Sequence, residues 1–434
     1  MRINITRHVG LSVAAMMICF QAQAAASWTT SADIRERYQS FNNFNFNSAV
    51  DTNRQELDTR LYIKTKGDFG NGLSTFVQSQ AVYIKNFTVG NTQELTQVDL
   101  LQAYLQYNIG DFGLRLGRQQ LVYGDQRLLG HLGWKDVART FDGVKAMYKA
   151  GPVKFDLFAV HPSDIGAMTP STAAPQGKSL VTWEDRRLVG AYGTYTFAPK
   201  SGIDAYFINW SHNQQAAIGK GRNLNTFGAR LFGKANGFDG TAEAVFQTGT
   251  WAHATGGANV SQKASAYAVK AGYTFDFWKT RFGAEYNFSP GDDKTDATTH
   301  KSFVFPFHTN HAHYGEMDFF SWANMKDIHL SLKTSPMKGL SIMGNVHFLS
   351  LDNAKGDWLN VVGAGNVFAG APGYTQTKAG TEIDVKVVYK VAAVKGLKLV
   401  GLYGIFNPGA AVSERNGGKA DSAKFAYVLA NYKF

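Results

Sequence analysis

The last eleven residues, Lys424 to Phe434, read K-F-A-Y-V-L-A-N-Y-K-F and constrain the fold of this chain more than any other stretch. Counting by twos from Phe434 gives Tyr432, Ala430, Val428 and Ala426, an unbroken apolar or aromatic row, while Lys433 and Asn431 begin the opposite row. A period of two is the mark of a β-strand with one apolar face. A strand of this kind needs a neighbour on each edge, so it is expected to close a sheet.

The pattern recurs upstream, in strand-like segments at 33–41, 54–66, 73–83, 98–109, 114–123, 187–197, 203–211, 224–233, 238–248, 267–275 and 280–288. Short turns at 67–72, 110–113, 149–152, 199–202, 234–237, 276–279, 335–339 and 391–396 alternate with long connections near 124–138, 162–183, 212–222, 249–264, 289–326, 353–377 and 407–422. This predicts about 18 antiparallel strands of roughly ten residues, an even number, with short periplasmic turns and long extracellular loops. No repeat of the kind a propeller blade requires is visible. The faces agree. Leu57, Thr59, Leu61 and Ile63 stand opposite Glu56, Asp58, Arg60 and Lys64, and Ile383, Val385 and Val387 stand opposite Glu382, Asp384 and Lys386. The expected fold class is all-β, a transmembrane antiparallel β-barrel with apolar rows toward lipid and polar rows toward a lumen.

An amino-terminal Arg2 and Arg7, an apolar run from Val9 to Phe20 and the small-x-small Ala22-Gln23-Ala24 have the form of a secretory signal peptide over 1–24, leaving 25–434 as one barrel domain. The single cysteine, Cys19, lies in that leader, so the mature chain is expected to lack disulfides, thiolate nucleophiles and cysteine metal ligands. Beyond it no run of about 18 apolar residues suggests a helical span. A final aromatic on an apolar row resembles the assembly signal of bacterial outer-membrane barrels. The expected partners are therefore outer-membrane lipid and the barrel-assembly machinery.

The formal charge is +11, which suits nucleic acid, anionic lipid or acidic solutes, and an exported destination makes nucleic acid the poorest of these, so none is expected as a partner. If apolar rows face lipid, charged rows line a channel. The basic candidates for solute contact are Arg60, Lys64, Arg115, Arg118, Arg127, Lys145, Arg186, Arg230, Lys270, Lys333 and Lys386, and the acidic ones Asp58, Asp156, Asp204, Glu243, Glu285 and Asp384. Arg115 and Arg118 lie on opposite faces unless a bulge intervenes. A basic excess favours anions, and charges paired across strands would only hydrate the wall. Barrels of 16 to 18 strands leave an aqueous channel.

The strand L-R-L-G-R-Q (Leu114 to Gln119), a loop with Trp134, and R-T-F-D-G-V (Arg139 to Val144) resemble the alginate-export family of outer-membrane barrels, and S-P-G-D-D (Ser289 to Asp293) and His308 to Asp318 are similar to segments of that family. The resemblance implies an 18-stranded monomeric barrel whose basic lumen conducts a polyuronate. It implies that Arg115 and Arg118 act as wall arginines, whose guanidinium groups match carboxylates bidentately. A porin for small nutrients is the near alternative. His308, His311, His313, Glu316 and Asp318 could ligate a metal, and Gly291-Asp292-Asp293 a Ca²⁺, against packed loops and a tight acidic turn. The expectation is that no metal or cofactor is present. Without a G-x-S-x-G elbow or H-E-x-x-H, a barrel enzyme is disfavoured, as is a purely structural adhesin.

Overall fold

The computed structural model describes residues 26–87, 94–163, 186–212, 221–251, 259–293, 295–304, 307–309, 311, 313–360 and 366–434. The expected leader over 1–24 and much of the 162–183, 212–222 and 249–264 connections lie outside the described residues.

Among the described residues, β1 spans Ser27–Asn42, β2 Arg54–Asp68, β3 Leu73–Asn86, β4 Glu94–Ile109, β5 Phe112–Gln119 and β6 Phe141–Ala150. β7 spans Val153–Pro162, β8 Arg186–Ala198, β9 Ser201–His212, β10 Arg222–Ala235, β11 Phe238–Trp251 and β12 Val260–Thr274. β13 is Arg281–Ser289, β14 Met325–Met337, β15 Leu340–Ser350, β16 Lys378–Lys390, β17 Leu397–Pro408 and β18 Ala423–Lys433. Each pairs antiparallel with the next, and β18 pairs with β1 from Asp33↔Lys433 to Asn42↔Lys424. Two backbone hydrogen bonds between Ala32 and Phe434, at 2.7 and 3.0 Å, complete the seam. The barrel is closed, so no sheet edge is left unpaired.

Exposure alternates along the strands. Val428 and Phe434 are 62% and 64% exposed on the outside, whereas Phe425, Tyr427 and Asn431 are buried on the inside. Outer positions such as Val98, Leu116, Phe246 and Leu330 form the apolar belt. Among the described residues no helix is long and apolar enough to cross a membrane. The turns are tight for a physical reason at Gly72: its φ is +83°, and a Cβ there would sit 1.9 Å from the Asn108 carbonyl oxygen, a conformation and approach open to glycine.

Wide barrels normally hold water inside, yet many inward polar side chains here are buried, among them Asp58, Gln80, Asn287, Asp327 and Glu382. The cause is loop material folded into the lumen. The 120–140 and 290–324 connections place Leu121, Leu128, Leu129, Phe303, Phe307, Tyr314, Phe319, Phe320 and Trp322 in one apolar cluster with inward wall residues Trp210, Leu224, Val245, Phe406 and Tyr427. A six-residue helix, α1 (Ala410–Arg415), adds Ala411 and Val412 to the cluster.

Candidate functional site

The lumen wall and the two inward loops meet through three sets of charged contacts. On β1 and β2, inward Arg35, Arg37 and Arg60 converge on the loop segment 133–136. Arg35 donates to the Trp134 carbonyl at 2.9 Å and to Asp136 at 2.5 Å. Arg37 donates to the same carbonyl at 2.9 Å, pairs with Asp58 and Asp136 at 2.9 and 2.8 Å, and lies 4.2 Å over the Trp134 ring. Arg60 donates to the carbonyls of Gly133 and Lys135 at 2.9 and 3.0 Å.

Across the lumen the same loop presents Asp125 and Arg127. Asp125 accepts from Arg230 at 2.8 Å and Lys270 at 2.6 Å; these two cations outweigh burial and hold its carboxyl below the ordinary range. Arg127, fully enclosed, donates to Glu285 and, at 2.9 Å, to the Tyr314 hydroxyl, with Glu243 3.9 Å away. Burial disfavours its charge, but Tyr314, Glu285 and Glu243 more than compensate, so its pKa is raised. The two loops also bond directly: Gly130 N–H to the Phe307 carbonyl (2.8 Å), Thr309 N–H to that of Gln126 (2.9 Å) and Arg139 to that of His308 (2.8 Å).

The third set holds segment 311–318. His311 stacks on Trp134, with ring centroids 4.1 Å apart and planes 5° off parallel, and its Nδ1 is 2.9 Å from Asp318. Its Nε2 is 3.0 Å from Glu316 but poorly aligned for a hydrogen bond, a contact of charge alone. Burial opposes protonation of His311, and the Asp318 and Glu316 carboxylates overcome it and raise its pKa. Glu316 in turn pairs with Lys386 of β16 at 2.6 Å, and the Met317 N–H donates to Glu382 at 2.9 Å. Neighbouring His313 differs: its Nε2 is 2.7 Å from the Asp125 carbonyl, and burial beside Arg127 lowers its pKa to about 3.

Desolvation offsets most of what buried ion pairs gain. Each of the buried loop aromatics contributes about 1.5–3 kcal/mol by leaving water. The aromatic cluster therefore drives the loops inward, and the ion pairs fix where they dock.

These positions redistribute the candidates named from sequence. Arg60, Arg230, Lys270 and Lys386 face the lumen but are bonded to loops. Arg127 is a buried loop residue rather than a wall residue. Arg118 is the clearest correction. It shares the outer row of Leu114 and Leu116, and it pairs with Asp142 at 2.7 Å because the bulge in β4 falls opposite β3 and leaves the β5 alternation intact. Lys145 faces inward and pairs with Asp156 at 3.1 Å. Arg186 lies in the inward row of Leu188, opposite His212. Lys333 occupies the inward row beside Arg281, which is bound to Asp239 at 2.7 Å. Lys64 lies 5.7 Å from the Tyr62 ring.

Arg115 stands apart. It faces inward directly opposite Lys145, donates to Gln106 Oε1 at 2.9 and 2.6 Å, and lies 4.1 Å over the Tyr104 ring. No carboxylate pairs with it among the described residues. With Lys66, Tyr104, Gln106, Asn108 and Phe76 it lines a cavity of about 440 Å³ at the turn end of β2–β5.

Arg35 and Arg37 were missed as candidates, although their alternation with Ile34 and Tyr38 marks both as inward. Among the described residues no group of three or more His, Cys, Asp or Glu is arranged to hold a metal ion. Asp292 instead accepts the Lys301 N–H at 3.1 Å, and Asp293 accepts from Thr295 at 2.7 Å.

Solved structures similar to this chain are outer-membrane channel barrels. Pseudomonas aeruginosa OccK8 (OprE) superposes with a TM-score of 0.62 at 12% identity over 94% of this chain and 98% of its own. Acinetobacter baumannii OccAB4 gives 0.62 at 14% identity over 95% and 98%. Pseudomonas aeruginosa OpdK with vanillate gives 0.60 at 10% identity over 93% and 98%. At these identities the likeness is one of fold. No curated protein sequence matches the chain. The family model described as alginate export matches residues 27–425, and the chain belongs to the alginate-export family of outer-membrane β-barrel channels.

Proposed function

We propose that this channel passes small organic anions, sugar acids or aromatic acids, through its lumen by passive diffusion across the outer membrane. The observation that carries the reading is Arg115 at the turn-end cavity, a lumen guanidinium with no carboxylate partner among the described residues, next to Lys66 and an aromatic face. A carboxylate can take two parallel hydrogen bonds from such a group, and the neighbouring amides of Gln106 and Asn108 suit hydroxyls. A channel works when such sites are attractive enough to admit a solute and weak enough to release it. The loop aromatics packed across the lumen favour a compact solute over a thick polymer. OpdK, of the same fold, has been solved with vanillate, a small aromatic carboxylate.

The family description favours a second reading, an extended polyuronate moving in single file past the same cations. Planar-bilayer recording separates the two. Sugar-acid monomers are expected to reduce current with short dwell times and uronate oligomers to block for long periods without passing. Oligomers that traverse into vesicles would establish the second reading. Absence of conductance from folded protein would overturn transport altogether, and a cation preference would overturn the basic-lumen argument.

A further inference from the structure

Segment 133–136 lies over three arginines that the wall only partly neutralises. Arg35 and Arg60 are directly opposite partners on β1 and β2, both facing inward and both buried. Like charges in that register destabilise a sheet, and a buried cation needs a partner. The wall supplies little. Asp58, opposite Arg37, is taken by Arg37 at 3.0 and 2.9 Å and by Gln39 at 2.5 Å, and Asp33 accepts from Asn431 at 2.7 Å. The loop adds one carboxylate, Asp136, shared by Arg35 and Arg37. Its other contacts are neutral: the Trp134 carbonyl for Arg35 and Arg37, and those of Gly133 and Lys135 for Arg60. Among the described residues no carboxylate pairs with Arg60, and the Nε of both Arg35 and Arg60 is buried without an acceptor. A carbonyl oxygen carries no charge to set against a guanidinium, whereas a carboxylate adds an ion pair and a bidentate fit.

The segment can part from the arginines without the rest of its loop. Leu128 and Leu129 in the aromatic cluster, and Arg127 on Tyr314, fix the loop's root. Residues 131–137 are only half-buried. Against release stand the Trp134 ring, stacked between Arg37 and His311, and the pair of Lys135 with Asp318 at 3.4 Å. In its favour is Leu132, held at φ +52°, a strained conformation for a bulky side chain that lifting the segment relieves.

We propose that Arg35, Arg37 and Arg60 form a binding site for a solute with two carboxylates, that segment 133–136 fills this site as an internal stand-in, and that the solute displaces the segment as it passes. With the segment seated, the arginines offer nothing to a passing ion. With it lifted, they hold both carboxylates. A solute shifts this balance only by preferring the lifted state, and its charges meet what the carbonyls leave unmatched. The proposal rests on the anionic solute inferred above and not on Arg115.

The test is hydrogen–deuterium exchange on the full-length folded barrel in neutral detergent. Glucarate, a sugar acid with a carboxylate at each end, is the probe, and sorbitol its neutral control. The reporters are the Lys135 N–H, bonded to the Leu132 carbonyl at 3.0 Å, and the Ala138 N–H, 3.4 Å from Gln80 Oε1. Glucarate is expected to speed exchange across 131–138 severalfold while 121–129 stays protected, and sorbitol to change neither. Asp136→Asn loosens the segment and leaves the arginines in place, so less glucarate should be needed, by a factor of about ten for one charge-assisted bond. In the double variant Arg35→Gln, Arg60→Gln the probe should no longer alter the rate, whatever its starting value, and Arg115→Gln should release as the parent does. Exchange that ignores glucarate, in a protein whose current glucarate still reduces, would overturn the proposal and leave the solute reading standing. A probe that changes neither exchange nor current would overturn both. Equal release by sorbitol would overturn the assignment to anions, and this comparison needs no variant to fold.

Discussion

Two groups of lumen cations have opposite fates. Arg35, Arg37, Arg60, Arg230, Lys270 and Lys386 each bond to an inward loop, through Asp136, Asp125, Glu316 or main-chain carbonyls. Arg115 and Lys66, at the turn end of β2–β5, face a cavity instead. All eight are inward cations on an alternating strand, so residue type and face do not separate them. Reach does: the long connections descend from the opposite end and meet one part of the wall and not the other. The contrast teaches that a basic row is a selectivity site only where no loop carboxylate arrives first.

The largest effect that would break this comparison is release of the loops. Arg127→Ala leaves Glu285 buried without its cation, a loss of about 3–5 kcal/mol for a broken buried pair. The expected result is detachment of the 120–140 loop and a severalfold rise in single-channel conductance; an unchanged conductance would mean that the loops do not restrict the path.

Next comes Arg115→Glu, which should shift the reversal potential in a salt gradient toward cations. Unchanged selectivity would show that the cavity lies off the conduction path. Asp125→Asn offers the converse, since it frees part of Arg230 and Lys270. Anion preference should rise, by less than Arg115→Glu lowers it, because Arg230 stays paired with Asp204.

A smaller effect is expected from pH. The His311 pKa is raised in the docked loop, so its contribution is complete below the ordinary value of 6.5 and fades as pH climbs through the raised value. For His313, buried neutral with a pKa of about 3, the contribution is complete above 6.5 and fades as pH falls toward 3. Loop docking should therefore be firmest near neutrality, with current noise growing on both sides; His311→Gln should remove the alkaline limb, and noise that ignores pH in that variant and the parent alike would rule out this docking. The smallest effect belongs to Arg118→Gln. Its pair with Asp142 is on the outer surface, where such pairs contribute about 0–1 kcal/mol, so conductance and selectivity should stay as they were.

Most of the fold was legible because it depends on local patterns. Alternation along 54–66 and 424–434, and short turns such as that at Gly72, are set by neighbours in sequence. Strand ends were less so. The segment expected over 114–123 ends as β5 at Gln119, after which Leu121 leaves the wall for the loop cluster. The candidate site was legible only in part. Inward cations follow from alternation, and Arg118 fails it by the same rule that places Arg115 correctly. The partners Asp125, Asp136 and Glu316 carry no periodic signal, because they lie in irregular loops far along the chain from the cations they meet.

The sequence by itself determined a closed antiparallel barrel, its count of strands, its lipid-facing rows and the closing strand that ends at Phe434, since each needs only a period of two and the spacing of turns. Only the tertiary structure decided that the long loops fold inward, which cations they neutralise and which remain. That choice is a contest between burying loop aromatics and hydrating wall charges, and its outcome depends on contacts such as Arg127 to Glu285, 158 residues apart in the chain.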